Sequence, residues 1–199
     1  MAPWAMGKGF PNVVVTGIAM TTAVASDAET TWKALLDGQS GIRKLDDPFV
    51  EEFDVPVRIG GHLVEEFDSQ LTRIENRRMS YLQIMATVLG RRVWDNAGAP
   101  EVDPNRLMVS IGTGMGSGEE HVFAYDDMRA RGVKPVSPLA VQKFTPNGSA
   151  AVVGLERHAR AEPRGRPGPR KSPRWCSSCV IPGRNVALRV AGATCRLPR

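Results

Sequence analysis

Cys176, Cys179 and Cys195 are the only thiols among the 199 residues, and Cys176-Ser-Ser-Cys179 has a C-x-x-C spacing. Such a pair suits two chemistries. With Cys195 and a distant histidine it makes a four-ligand zinc site; alone it makes a redox disulfide. Both readings are weak, because the motif has no helix or strand around it. The glycine run Gly112-Thr-Gly114-Met-Gly116-Ser-Gly118 is the second feature, since glycines between a strand and a helix can cradle phosphate. Here the spacing is wrong for G-x-G-x-x-G, no Gly-Lys-Ser/Thr follows, and Glu119-Glu120 would repel an anion. The run reads instead as a tight backbone turn packed against a neighbour. His62, His121 and His158 lie far apart and in no metal-ligand spacing. His62 and His158 read as structural or solvated.

The composition breaks at about Ala161. Nine of the 26 Lys+Arg, six of the 15 prolines and all three cysteines fall within residues 162–199, against one acid, Glu162. The preceding body is acidic and cysteine-free, which excludes a disulfide framework there. The basic tail could hold nucleic acid or anionic lipid by charge alone, but Trp175 is its one aromatic, which leaves little base stacking. The tail is expected to be a disordered, solvated extension, with Val186 to Val190 as its one candidate strand. No apolar run reaches 18 residues, and the amino-terminal stretch does not read as a secretory signal, so a cytoplasmic location is expected and no membrane association.

The elements that must position these groups follow from periodicity. Val13 to Ile18 is a β-branched run that predicts a buried strand. Ser26-x-x-Glu29 predicts a capped helix with Trp32, Leu35 and Leu36 on one face, ending at Asp37-Gly38. Residues 42–75 are mixed. Arg77 to Ala97 predicts the strongest helix, buried on more than one side and stopped by Gly98. Leu107 to Ile111 predicts a second strand, Glu119 to Arg131 a helix stopped at Gly132, and Thr145-Pro146 a helix start.

Several blocks together carry a resemblance. They are Val13-Val-Val-Thr-Gly-Ile, Thr31-Trp32-Lys33 with Leu36, Gly38 and Ser40-Gly41-Ile42, and Arg77-Arg-Met-Ser-Tyr81. Val57-Arg-Ile-Gly-Gly-His62-Leu63, Gly112-Thr-Gly-Met-Gly116, Val136-Ser-Pro-Leu-Ala-Val-Gln142 and Pro146-Asn-Gly148 with Ala150-Ala151 complete the set. Residues 10–161 resemble the N-terminal part of an elongating β-ketoacyl-acyl carrier protein synthase. Asp46-Asp-Pro-Phe-Val-Glu-Glu-Phe-Asp54 and Gln70 to Glu75 are closest to the mycobacterial enzymes that extend meromycolate chains, the B-type paralogue in particular. The resemblance implies an α/β, thiolase-like fold, of which this chain holds part of the first half. It implies a homodimer or a paralogous synthase partner, an acyl carrier protein as donor, and no cofactor or metal. It implies a decarboxylative condensation through a cysteine thioester, with two histidines stabilising the developing negative charge. By resemblance, Met115, Gly118, His121 and Tyr125 wall the acyl channel. Phe144, Thr145 and Pro146 belong to the segment that reaches the partner's pocket.

The chain departs from the family where the nucleophile belongs. After Ala161 the family's Gly-Val-x-Thr-Pro and Ser-Ala-Cys are replaced by Glu162-Pro-Arg-Gly-Arg-Pro-Gly-Pro-Arg170, whose prolines oppose a strand. Cys176-Ser-Ser imitates the family's Cys-Ser-Ser in the wrong context. The expectation is therefore no catalytic residue in this chain, and an inactive fragment whose tail is unmatched or read out of frame. The alternatives are a non-catalytic dimerisation partner, or a tail that binds zinc or nucleic acid.

Overall fold

The structure, a computed structural model, describes residues 14–161 and the strand Val186–Val190. The element order is α1 (Ala28–Leu36), β1 (Arg43–Lys44), α2 (Pro48–Glu52), β2 (Ile59–Gly60), α3 (Arg73–Arg78), α4 (Tyr81–Asn96), β3 (Leu107–Ile111), α5 (Gly118–Arg131), α6 (Ala140–Phe144), α7 (Gly148–Glu156) and β4 (Val186–Val190).

Helix α4 is the centre. Nine of its residues from Gln83 to Val93 are buried, so it is covered on more than one face, as its sequence predicts. Ile84, Met85, Val88, Leu89 and Val93 form one core cluster with Phe67 and Val153, and Val109 and Ile111 of β3 pack against it. Helix α7 lies across both α4 and β3. β3 pairs in parallel with β4, from Leu107↔Val186 to Ile111↔Val190. The tail's one expected strand therefore forms, and it lines the sheet beside α4. The rest of the expected disordered tail, including all three cysteines, lies outside the described residues. β1 and β2 make a separate antiparallel pair.

Four expectations need correction. Residues 14–18 form no strand: Val14 is 74% and Val15 79% exposed, and the Ile18 N–H donates to Asn96 Oδ1 at 2.8 Å instead of to a ladder. β-Branched residues make a strand only where a neighbouring strand accepts their backbone groups, and among the described residues β3 pairs only with β4. The cap of α1 is Asp27, not Ser26, with Oδ1 accepting from the Thr30 N–H at 2.8 Å. The long helix from Arg77 is two helices. Met79 and Ser80 are extended, because Thr72 and Ser80 each start a helix with a capping box, closed by Glu75 and Gln83. The last helix starts only at Gly148, after Asn147, whose side chain makes no cap bond, while Thr145 ends α6. A carboxyl-terminal stop at Gly98 (φ +81°) and at Gly132 (φ +77°) is as expected.

Candidate functional site

The glycine loop leaves β3 and turns sharply at Gly116, whose φ of +66° lies in the left-handed region that favours glycine. A Cβ there would come within 3.3 Å of the Phe144 carbonyl oxygen and of Pro146 Cα. The loop is thus pressed against the α6–α7 junction, which is the packed turn that its sequence predicts. Ser117 is buried, and its Oγ lies 2.6 Å from Ser80 Oγ, joining the start of α5 to the cap of α4.

Around this turn the structure gathers most of the residues singled out by resemblance. The Met115 side chain is 84% exposed, and its methyl lies 3.8 Å from the position of a Cβ on Gly118. The His121 ring meets the Phe144 ring edge-on, with centroids 5.1 Å apart and planes at 67°. Thr145 Oγ1 donates to the Gln142 carbonyl at 3.2 Å, and Pro146 sits against Gly116. Tyr125 stands one turn beyond His121 on α5 and turns to Arg129, whose guanidinium lies 5.9 Å from its ring centre. Tyr125 therefore shares the helix without joining the His121–Phe144 contact. His62 lies elsewhere, paired with Asp47 at 3.0 Å. No cluster of three or more His, Cys, Asp and Glu side chains suited to a metal ion occurs among the described residues.

Electrostatics tie the two walls together. Lys143 of α6 reaches Glu120 of α5 at 3.5 Å, and both side chains are largely buried. Burial pushes the Glu119 carboxyl above its ordinary range, with the like charge of Glu120 adding to it. The result is an exposed wall of mixed polar and apolar side chains with one edge-on aromatic pair. It holds groups that can line an alkyl chain, and no nucleophile poised by a base.

Sequence reasoning missed the polar belt beneath this wall. Gln83 Oε1 accepts from the Ser80 N–H, and Gln83 Nε2 donates to the Gln142 carbonyl at 2.9 Å. A Cβ on Gly148 would overlap Gln83 Nε2. The Ser80-x-x-Gln83 capping box was a readable signal for the first contact; only the fold reveals the second. It also missed a cavity of about 530 Å³ lined by Ile74, Arg77, Arg78, Ser137, Pro138 and Leu139. Both arginines are exposed there and form no ion pair among the described residues.

The fold defines the class first. The chain superposes on a β-ketoacyl synthase from Burkholderia phymatum with a TM-score of 0.63 at 22% identity, over 75% of this chain and 37% of that one. It superposes on a ketosynthase described in complex with its type II acyl carrier protein with a TM-score of 0.56 at 14% identity, over 75% and 40%. This is the thiolase-like ketosynthase fold in part. The sequence then gives the family: residues 11–162 match the beta-ketoacyl synthase, N-terminal domain, and the chain belongs to that family. It is 80% identical over 155 residues to the 3-oxoacyl-[acyl-carrier-protein] synthase 2 of Mycobacterium tuberculosis and 79% to that of Mycobacterium leprae. It is 31% identical over 156 residues to the enzyme of the same name from Vibrio harveyi. The chain spans 37% of the length of the mycobacterial relatives.

Proposed function

We propose that this chain is the amino-terminal part of a β-ketoacyl-acyl carrier protein synthase of fatty acid and mycolic acid elongation, and that alone it does not catalyse the condensation. One observation carries the reading: identity to the mycobacterial enzyme is 80% over 155 residues, and the family match ends at residue 162, before the family's nucleophile would follow. In the complete reaction a cysteine thiolate attacks an acyl thioester and releases the carrier thiol. Malonyl-carrier protein then loses CO₂, and the resulting enolate carbon attacks the enzyme thioester and frees the cysteine. The body of this chain contains no cysteine to do this.

What it supplies is the wall. Met115, Gly118, His121 and Tyr125 line the acyl channel, and Phe144, Thr145 and Pro146 face a partner subunit. The His121–Phe144 contact and the fit of Pro146 on Gly116 support these roles. The cavity beside Arg77 and Arg78 has the charge to dock an acidic carrier protein, and the cytoplasm is where that carrier would be met. Residues 163–199 lie outside the family match, although Val186–Val190 among them pairs with β3. A second reading, a non-catalytic partner of a full-length synthase, is favoured by α5. No residue of this helix is fully buried, and Val122, Phe123 and Met128 are exposed on it.

The test is to sequence the coding DNA across the Ala161 codon and translate each frame downstream. A frame that restores Ser-Ala-Cys and two histidine motifs assigns the family activity to the repaired chain. If no frame does, the tail is a true part of this protein. Condensing activity from the purified 199-residue chain would overturn the proposal.

A further inference from the structure

β3 is the strand most in need of a neighbour. Leu107-Met-Val-Ser-Ile111 holds no charge and no proline, so its edges offer backbone groups in an apolar, pairing-prone sequence. β4 meets that need along the whole strand, in a parallel register without a gap from Leu107↔Val186 to Ile111↔Val190. The two strands differ in residue type. Arg189 lies inside β4, and Pro182 and Arg184 stand just before it. Charge and proline are what make a sheet edge refuse another chain. Pairing with β4 therefore exchanges a plain apolar edge for a charged one.

The chain also delivers its tail to this place. The Ala161 N–H donates to the Leu107 carbonyl at 3.1 Å, and the Arg160 N–H to the Pro104 carbonyl at 2.8 Å. Val186 then pairs with the same Leu107, so the tail leaves from and returns to one end of β3. Tethering within one chain presents a segment at an effective concentration on the order of 1 mM, roughly a hundredfold above a second copy at about 10 μM. A second copy has a strand to offer, since the β-branched run at Val14, Val15 and Ile18 is exposed and pairs with nothing among the described strands. We infer that Val186–Val190 is a tethered guard strand, which holds the β3 edge closed against pairing with a second copy of this chain. The family match ends at residue 162, so the device belongs to this chain's own tail and does not depend on the synthase reading.

The experiment compares the full 199-residue chain with the same chain carrying Ala187→Pro and Leu188→Pro. Successive residues of a strand turn their N–H groups to opposite edges, so this pair removes a ladder donor whichever way β4 faces. Ser177→Pro with Ser178→Pro, outside β4, is the control. Association is followed by light scattering over a concentration series, and amide exchange is read on β3 and α4. In the β4 variant the concentration at which the chain associates should fall by about tenfold or more, as the tethered strand is lost. The β3 amides that bond β4 should exchange faster, while the Leu89 amide of α4 keeps its protection and the control matches the parent. An unchanged association threshold would overturn the inference, and so would β3 amides that already exchange freely in the parent. Loss of protection in α4 would also overturn it, by making β4 part of the core and not a removable guard. Equal effects from the control pair would do the same, since tail composition and not the strand would then be responsible.

Discussion

At the scale of single residues, Glu75 is the most perturbed group. The Arg91 guanidinium at 2.7 Å holds its carboxyl down to about 2 from an ordinary 4.5, helped by hydrogen bonds from the Thr72 hydroxyl and N–H. Arg91 also reaches Glu156 at 2.9 Å, so one guanidinium fastens α3, α4 and α7. A depressed carboxylate stabilises the fold above its unfolded pKa, and that contribution disappears as pH falls through its folded value. The junction should therefore loosen between about pH 4.5 and 2. Carbon NMR of the Glu75 carboxyl should show a midpoint near 2, and Arg91→Met should move it upward. A midpoint at the ordinary value in the parent chain would remove Arg91 as the fastener. Gly116 offers a second case. Gly116→Ala brings a left-handed cost of about 1–2 kcal/mol and crowds the Phe144 carbonyl. Its expected signature is loss of the ring-current shift that Phe144 imposes on His121, read by proton NMR.

Helix ends decide the element scale. Ser80 caps α4 and also meets the buried Ser117 hydroxyl, so one side chain starts the central helix and anchors the glycine loop. Ser80→Ala removes a cap, about 1 kcal/mol, and leaves Ser117 without its partner, a further cost of about 1–3 kcal/mol. Amide exchange at the first turn of α4 and at Ser117 should accelerate together. Acceleration confined to α4 would show that the serine pair contributes nothing to the loop. Thr72→Ala, by contrast, affects an exposed cap and a hydrogen bond to the Glu75 carboxylate, so it should be felt in α3 and in the Glu75 titration but not at Ser117. Much at this scale was readable: the stops at Gly98 and Gly132, the strand at Leu107–Ile111 and the tail strand at Val186–Val190. The misplaced starts have different causes. Ser26 and Asp27 are neighbouring caps of similar strength, and the Asp27 carboxylate takes the Thr30 N–H; the last helix starts without any side-chain cap, since Asn147 makes no cap bond.

Over the whole molecule, the defining property is apolar surface left uncovered. Val14, Val15, Trp32, Leu36, Phe53 and Leu155 are all exposed. A fold with this much exposed apolar surface and a two-stranded sheet at its centre gains little cooperativity and invites association. The isolated chain should therefore associate with rising concentration and should melt without a sharp transition, as followed by light scattering and calorimetry. A soluble monomer with a steep, reversible melt would contradict this. No helix among the described residues is long and apolar enough to cross a membrane.

The sequence by itself determined the family, the collinear blocks that carry it, the break near Ala161 and most helix stops, because these depend on residue type and local spacing. Tertiary structure alone decided that Val14 and Val15 lie uncovered, since a strand exists only with a neighbour to bond. It decided that α1 turns Trp32 outward, since a periodic stripe reveals a face but not what that face meets. It also decided that Gln83 binds the Gln142 carbonyl across 59 positions, and that Gly116 fits between Phe144 and Pro146. Such contacts depend on how helices pack in space, and local spacing does not encode that.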